Sequence, residues 1–145
     1  MSLFGAIAVS ASGLDAQRIR AELITENLAN ADTTRTPDGG PYRRKDAVFS
    51  SQAQQPSFAA TLFEVSGDSQ SGVAVQEITV DDTEPERRYL PGHPDADPQG
   101  YVAFPHINPA EEMVDLMSAS RGYQANVAAI TSVKDMIVRS IDLFR

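Results

Sequence analysis

From Asn108 to its end the chain repeats one pattern without a slip. Met113, Leu116, Ser120, Tyr123, Val127, Ile130, Lys134, Ile137, Ile141 and Phe144 follow one another at alternating three- and four-residue steps. Eight of those ten positions are apolar, which predicts one continuous helix with a packing seam of the coiled-coil kind. Asn108 is placed as the N-cap, Pro109 as the first helical residue and Glu111 as the acid of a capping box. Acids at the start (Glu111, Glu112, Asp115) and bases at the end (Arg139, Arg145) suit the helix dipole. A helix over 109–144 is about 54 Å long, whereas a compact domain of 145 residues has a radius of gyration of about 15 Å. A globule of that size cannot enclose it. The helix must be paired lengthwise.

The partner within the chain is the first segment. Residues 3–30 place Phe4, Ile7, Ala11, Leu14, Ala21 and Leu28 at heptad spacing, with Arg18 and Thr25 in the same register. Gly5 and Gly13 each cost this helix about 1 kcal/mol relative to Ala, so it needs packing to persist. The last helix carries more apolar surface than one partner can cover, with Val114, Met117, Ala125, Ala128, Ala129, Val133, Met136 and Val138 outside the seam. Such a helix expects several neighbours, and residues 31–105 offer no third long helix.

Between the helices the chain changes character. "TPDGGPYRRK" (36–45) is turn chemistry, "VAVQEITV" (73–80) reads as a strand, and "RRYL" (87–90) as the strand returning on it. Residues 50–60 read as the most mobile. The fold class is therefore mainly α with a small β-rich middle: terminal helices over 1–30 and 108–145 packed as a coiled-coil-like rod, an extended, irregular connector over 31–65, and a β-rich domain over 66–107 at one end. The helix-breaking run "ENLANADTT" (26–34) stands where the first helix must stop. There Asn27 and Asn30 can cap the last free carbonyls or tolerate left-handed geometry, while Asp32, Thr33 and Thr34 can start a turn.

Composition excludes several chemistries. With no cysteine, thiol catalysis, thiolate metal sites and disulfides are ruled out. A net charge of −8 without a Lys/Arg stripe speaks against nucleic-acid binding. The first residues lack a basic n-region and carry Asp15, so they do not read as a cleaved signal peptide. His93, Asp95 and Asp97 form poor ligand geometry in a proline-rich turn, with His106 thirteen residues away. Asp81, Asp82, Glu84 and Glu86 read as the solvated tip of a hairpin. No nucleophile–base pair or phosphate loop is visible. Neither a catalytic residue nor a metal, cofactor or small-molecule substrate is expected.

The stretches "NLANADTT" (27–34), "PDGGPYRRKDAVF" (37–49), "YLPGHPDADPQGYV" (89–102) and "EEMVDLMSASRGYQANV" (111–127) together resemble the axial rod and hook proteins of the bacterial flagellum, and within them the short proximal-rod type. Thr25 stands where that family commonly has Ser, and keeps the hydroxyl. The close, "VRSIDLFR", departs from the Leu/Thr/Gly-rich ending of the family. The family motif falls on Asn27, Leu28, Ala29 and Asn30, and on Ser118, Ala119, Ser120, Arg121, Tyr123, Gln124 and Asn126. What the resemblance implies is a structural, non-enzymatic subunit of the basal-body rod in the periplasm. It would assemble helically, through the heptad residues above and Met117, with copies of itself and other rod proteins. Further implied partners are the rod-base adaptor, MS-ring and export-gate components, and the flagellar type III apparatus, which would export it without a cleaved signal. The remaining alternative is a non-polymerising coiled-coil adaptor that binds one partner.

Overall fold

A computed structural model describes residues 3–37, 39–52 and 72–143. Residues 53–60 of the stretch read as most mobile, residues 66–71 of the β-rich unit, and Phe144 and Arg145 lie outside those described. The element order is α1 (Leu3–Ala29), β1 (Lys45–Gln52), β2 (Gly72–Val80), β3 (Glu86–Tyr89), β4 (Tyr101–Phe104) and α2 (Pro109–Asp142). Two long terminal helices thus flank two small antiparallel sheets. At 27 and 34 residues the helices are about 40 and 51 Å long.

Asn108 opens α2 as the sequence predicts. Its side chain accepts a hydrogen bond from the Ala110 N–H at 3.1 Å, and Pro109 occupies the first turn. The two helices run antiparallel and close together. Gly13 lies against the Asn126 side chain, Gln17 lies against Gly122, and Asn27 reaches Glu112. A Cβ on Gly13 would stand 3.0 Å from the Asn126 amide nitrogen, and one on Gly122 would stand 3.1 Å from the Gln17 side chain. Both glycines are there because the backbones approach that closely, which offsets their poor helix propensity.

The strand pairing differs from the sequence reading. Strand β2 takes β1 as its partner, from Lys45 opposite Val80 to Gln52 opposite Gly72, with an irregularity at Val48/Phe49. Part of the stretch read as an irregular connector is therefore strand. The run 87–90 does not return on 73–80; β3 pairs instead with β4, Glu86 opposite Phe104 and Tyr89 opposite Tyr101. The turn between them decides this. Gly100, at φ +87°, closes a proline-rich loop in which its N–H donates to Asp97 and its carbonyl accepts from Leu90. A Cβ there would sit 2.9 Å from the Tyr89 ring. Asp81, Asp82 and Glu84 accordingly lie on the link between two sheets and Glu86 opens β3, so the four acids are not a hairpin tip.

The β1–β2 ribbon lies along α1. At one end the Lys45 backbone is held by Asn27, and at the other the Val73 N–H donates to the Ser12 hydroxyl at 3.0 Å. Val102 and Phe104 of β4 are buried, with the Arg88 guanidinium 4.7 Å above the Phe104 ring.

Candidate functional site

Three of the sequence stretches that carry the family resemblance converge on one buried point. Asn27, in the last turns of α1, is wholly excluded from solvent. Its amide group donates to the Lys45 carbonyl at 2.8 Å and to the Glu112 carboxylate at 3.3 Å. Its carbonyl oxygen accepts from the Lys45 N–H at 2.9 Å and from the Tyr42 hydroxyl at 3.0 Å. Asn27 is therefore no cap. It joins α1 to the start of β1 and the start of α2. The capping falls to Asn30, whose side chain donates to the Glu26 carbonyl at 2.9 Å and accepts from the Thr33 hydroxyl at 3.1 Å. The helix ends abruptly because this residue and the turn at Thr33 consume the groups that would continue it.

Charges surround the amide. Glu112 is buried and receives the Arg44 guanidinium at 2.6 Å, while Arg44 also approaches Asp46 and Asp115 and Arg20 approaches Asp115. Burial pulls the Arg44 pKa down, but Glu112 and Asp46 more than offset it and the net shift is upward. Lys45 binds Glu26 at 2.6 Å and sits 5.7 Å from the centre of the Tyr42 ring. Burial, reinforced by Glu26 and Glu112, pushes the Tyr42 hydroxyl up to about 12. A buried carboxylate with a guanidinium and an amide donor is satisfied, and so carries no reactivity of its own. The arrangement locks three elements at one angle.

The residues predicted to form the helix seam are placed differently. Toward α1, the helix α2 buries Glu112, Ala119 and Val133, with Asp115, Leu116, Gly122, Asn126, Ile130 and Ile137 half-buried beside them. That strip is rotated from the predicted one by roughly 60° around the axis, at 100° per residue. Val133, read as lying outside the seam, is inside it, whereas Ser120 and Lys134, read as seam positions, face solvent. Small residues explain the offset. Ala16, Gly13, Ala119 and Gly122 let the helices close, and the bulky heptad residues are left to one side. Met113, Met117, Tyr123, Val127 and Ile141 are exposed, as are Val114, Met136 and Val138. On α1, Ile7, Leu14, Ala21 and Leu28 are half-buried and Phe4 and Ala11 exposed; the buried set is Gly5, Ala16, Leu23, Ile24 and Asn27. Of the motif residues, Ala29, Ser118, Ser120, Arg121, Tyr123 and Gln124 face solvent.

Sequence reasoning missed Tyr42, Arg44, Lys45 and Glu112 as a cluster. A signal existed for Glu112: it falls at three- and four-residue spacing on the strip of Leu116, Ala119, Ile130, Val133 and Ile137, where Asp115 and Asn126 are the other polar members. The acids Asp81, Asp82 and Glu86 find surface partners. Asp82 pairs with Arg43 at 2.6 Å, Glu86 with Arg88, which depresses its pKa, and Asp81 is depressed by the Thr83 hydroxyl and N–H. Asp95 accepts from Thr34 at 2.8 Å, and Asp97 accepts from the Gln99 and Tyr101 N–H groups. Among the described residues no group of three or more His, Asp or Glu is arranged to hold a metal ion.

Comparison with known proteins bears on both helices. Residues 7–35 match the model of the flagella basal body rod protein family, and residues 99–143 match that of the flagellar basal body rod FlgEFG protein C-terminal family. Over 142 residues the chain is 43% identical to the flagellar basal-body rod protein FlgC of Borreliella burgdorferi, covering 94% of this chain and 93% of that one. The FlgC of Bacillus subtilis is 41% identical with 99% of each chain covered, and that of Salmonella typhimurium 38% identical with 99% and 98% covered.

Proposed function

This chain belongs to the flagellar basal-body rod protein FlgC family and is a structural, non-enzymatic subunit of the basal-body rod; from that premise we propose that it builds the proximal rod by lateral packing of the exposed face of α2 and the adjoining strip of α1. Residues 1–30 and 108–145 act as the inner, assembling domain, and residues 66–107 together with β1 as an outer β-rich one. Copies of this chain and other rod proteins cover the face in a helical, coiled-coil-like array that transmits torque and encloses the export channel. The rod base, the MS-ring and the export gate are its further neighbours. The chain reaches the periplasm through the flagellar type III apparatus.

One observation carries this reading. In a chain of net charge −8, Val114, Met117, Val127 and Ile141 remain 60, 54, 42 and 63% exposed on a single long helix. Exposed apolar side chains recurring along a helix are what a subunit interface leaves uncovered before its partners arrive. Phe4, Ile7, Ala11, Leu14, Ala21 and Leu28, with Met113, Leu116, Met117, Tyr123, Val127, Ile130, Ile137 and Ile141, are the proposed contact residues.

The test separates folding from assembly. Ile130 is half-buried against α1, so Ile130→Asp damages both. Val127→Asp and Met117→Asp place the charge on the uncovered face alone, where burial without a partner costs several kcal/mol. Both are expected to keep the helical content of the free chain, fail to enter the rod and abolish motility, while Glu84→Ala on the exposed interstrand link is silent. Normal rods built from Val127→Asp protein would refute the proposal.

A further inference from the structure

Methionine is among the residue types most often buried, yet all three described methionines are open to solvent here. Met113, Met117 and Met136 are 53, 54 and 49% exposed. Met113 and Met117 lie one helical turn apart on the same side of α2, with Val114 beside them and Leu116 half-buried behind. The chain contains no cysteine, so thioethers are its only sulfur. We propose that Met113 and Met117 form a peroxide-sensitive modification site whose oxidation to methionine sulfoxide prevents the free subunit from associating. The inference rests on the reading of this face as the assembly surface.

The chemistry is balanced and local. The sulfur lone pair attacks one oxygen of hydrogen peroxide, an S–O bond forms, the O–O bond breaks, and the second oxygen leaves as water after proton transfer. The thioether is oxidised by two electrons to a sulfoxide and the peroxide is reduced. Two thiols reverse the step enzymatically, giving the thioether, a disulfide and water. Oxidation puts a strong hydrogen-bond acceptor on a flexible apolar side chain. On a solvated face that costs little, and within an apolar contact it leaves an unpaired dipole. Folding is spared because neither methionine is part of the buried strip through Ala119 and Val133. Association is not. Once the face is covered, the same sulfurs are shielded, so the sensitivity is confined to the unassembled chain.

The test uses the full-length chain, free and in rods, with millimolar hydrogen peroxide and peptide mass spectrometry. Sulfoxide is expected at Met113 and Met117 in the free chain and at least tenfold more slowly in rods. Oxidised chain should lose association with rod subunits by about tenfold or more per sulfoxide, with unchanged helical content, and methionine sulfoxide reductase should restore it. A Met113→Leu, Met117→Leu variant should associate normally and be indifferent to peroxide. If the sulfoxides form and association is unaltered, or if the double leucine variant loses association under the same treatment, the proposal is wrong. Normal assembly of Val127→Asp would instead bring down the underlying reading of the face; failure of Val127→Asp beside normal assembly of oxidised chain would overturn this inference alone.

Discussion

Asn27 is the one residue that holds α1, β1 and α2 together. A single side-chain amide makes four hydrogen bonds to three elements and has no access to water. Asn27→Ala leaves the Lys45 backbone, the Tyr42 hydroxyl and the Glu112 carboxylate short of partners inside a dry site. The expected loss is about 2–4 kcal/mol, read as a fall in the thermal midpoint on the order of 10 °C. Thr25→Ala, which removes an exposed hydroxyl bonded to the Ala21 carbonyl, should stay within about 0.5 kcal/mol and serves as the comparison. Tyr42 adds a pH dependence whose sign is fixed. Burial, then Glu26, raises its pKa in the fold to about 12 from the ordinary 10.0, so the neutral hydroxyl is favoured in the native state. Its stabilising contribution is complete below pH 10 and is lost as pH climbs toward 12. Denaturation midpoints measured between pH 9 and 12 should fall more steeply for wild type than for Tyr42→Phe; equal slopes would mean the hydroxyl is not held neutral by this site.

At the scale of elements, what the sequence discloses depends on the range of the interaction that decides it. Both helices and the cap at Asn108 are legible because periodicity and capping are local, and the observed ends, Ala29 and Asp142, fall close to the expected ones. The face of each helix is less legible. A heptad frame drawn through the largest apolar residues selects Met113, Tyr123 and Val127, but contact with α1 is decided by which residues are small enough for close approach, namely Gly13, Ala16, Ala119 and Gly122. Strand pairing is less legible still. Strand β1, "KDAVFSSQ", has Ser or Gln at three of its eight positions and finds its partner across residues 53–71, so no local signal names β2 as that partner. The junction is the extreme case. Asn27 reads as a cap because Asn usually caps, and its real contacts lie 15, 18 and 85 residues away in the chain. Only the tertiary structure brings Tyr42, Lys45 and Glu112 to it.

The whole molecule is anchored at one end. The buried network of Asn27, Tyr42, Arg44 and Glu112 ties both helices to the β1 strand where α1 ends and α2 begins. Carried outward, the antiparallel register that sets Gly13 against Asn126 brings Leu3 level with Met136. Beyond that point Val138, Ile141 and Leu143 are 48, 63 and 86% exposed, and Phe4 beside them is 75% exposed. Helix propagation alone does not hold such a segment, since most helical stability in proteins comes from burying an apolar face. Opening free energy should therefore fall along the pair from the anchored end to the free one. In a dilute solution of the free chain, amide hydrogen exchange is expected to be fast over 130–143 and 3–9 and slowest over 20–30 and 109–119. In assembled rods the neighbours that cover Val114, Met117, Val127 and Ile141 should slow exchange over 130–143 by orders of magnitude, because the helix then buries what it exposes alone. Uniform protection along α2 in the dilute chain would show that the helix needs no neighbour to be stable. The uncovered face would then lose its energetic reason for assembly.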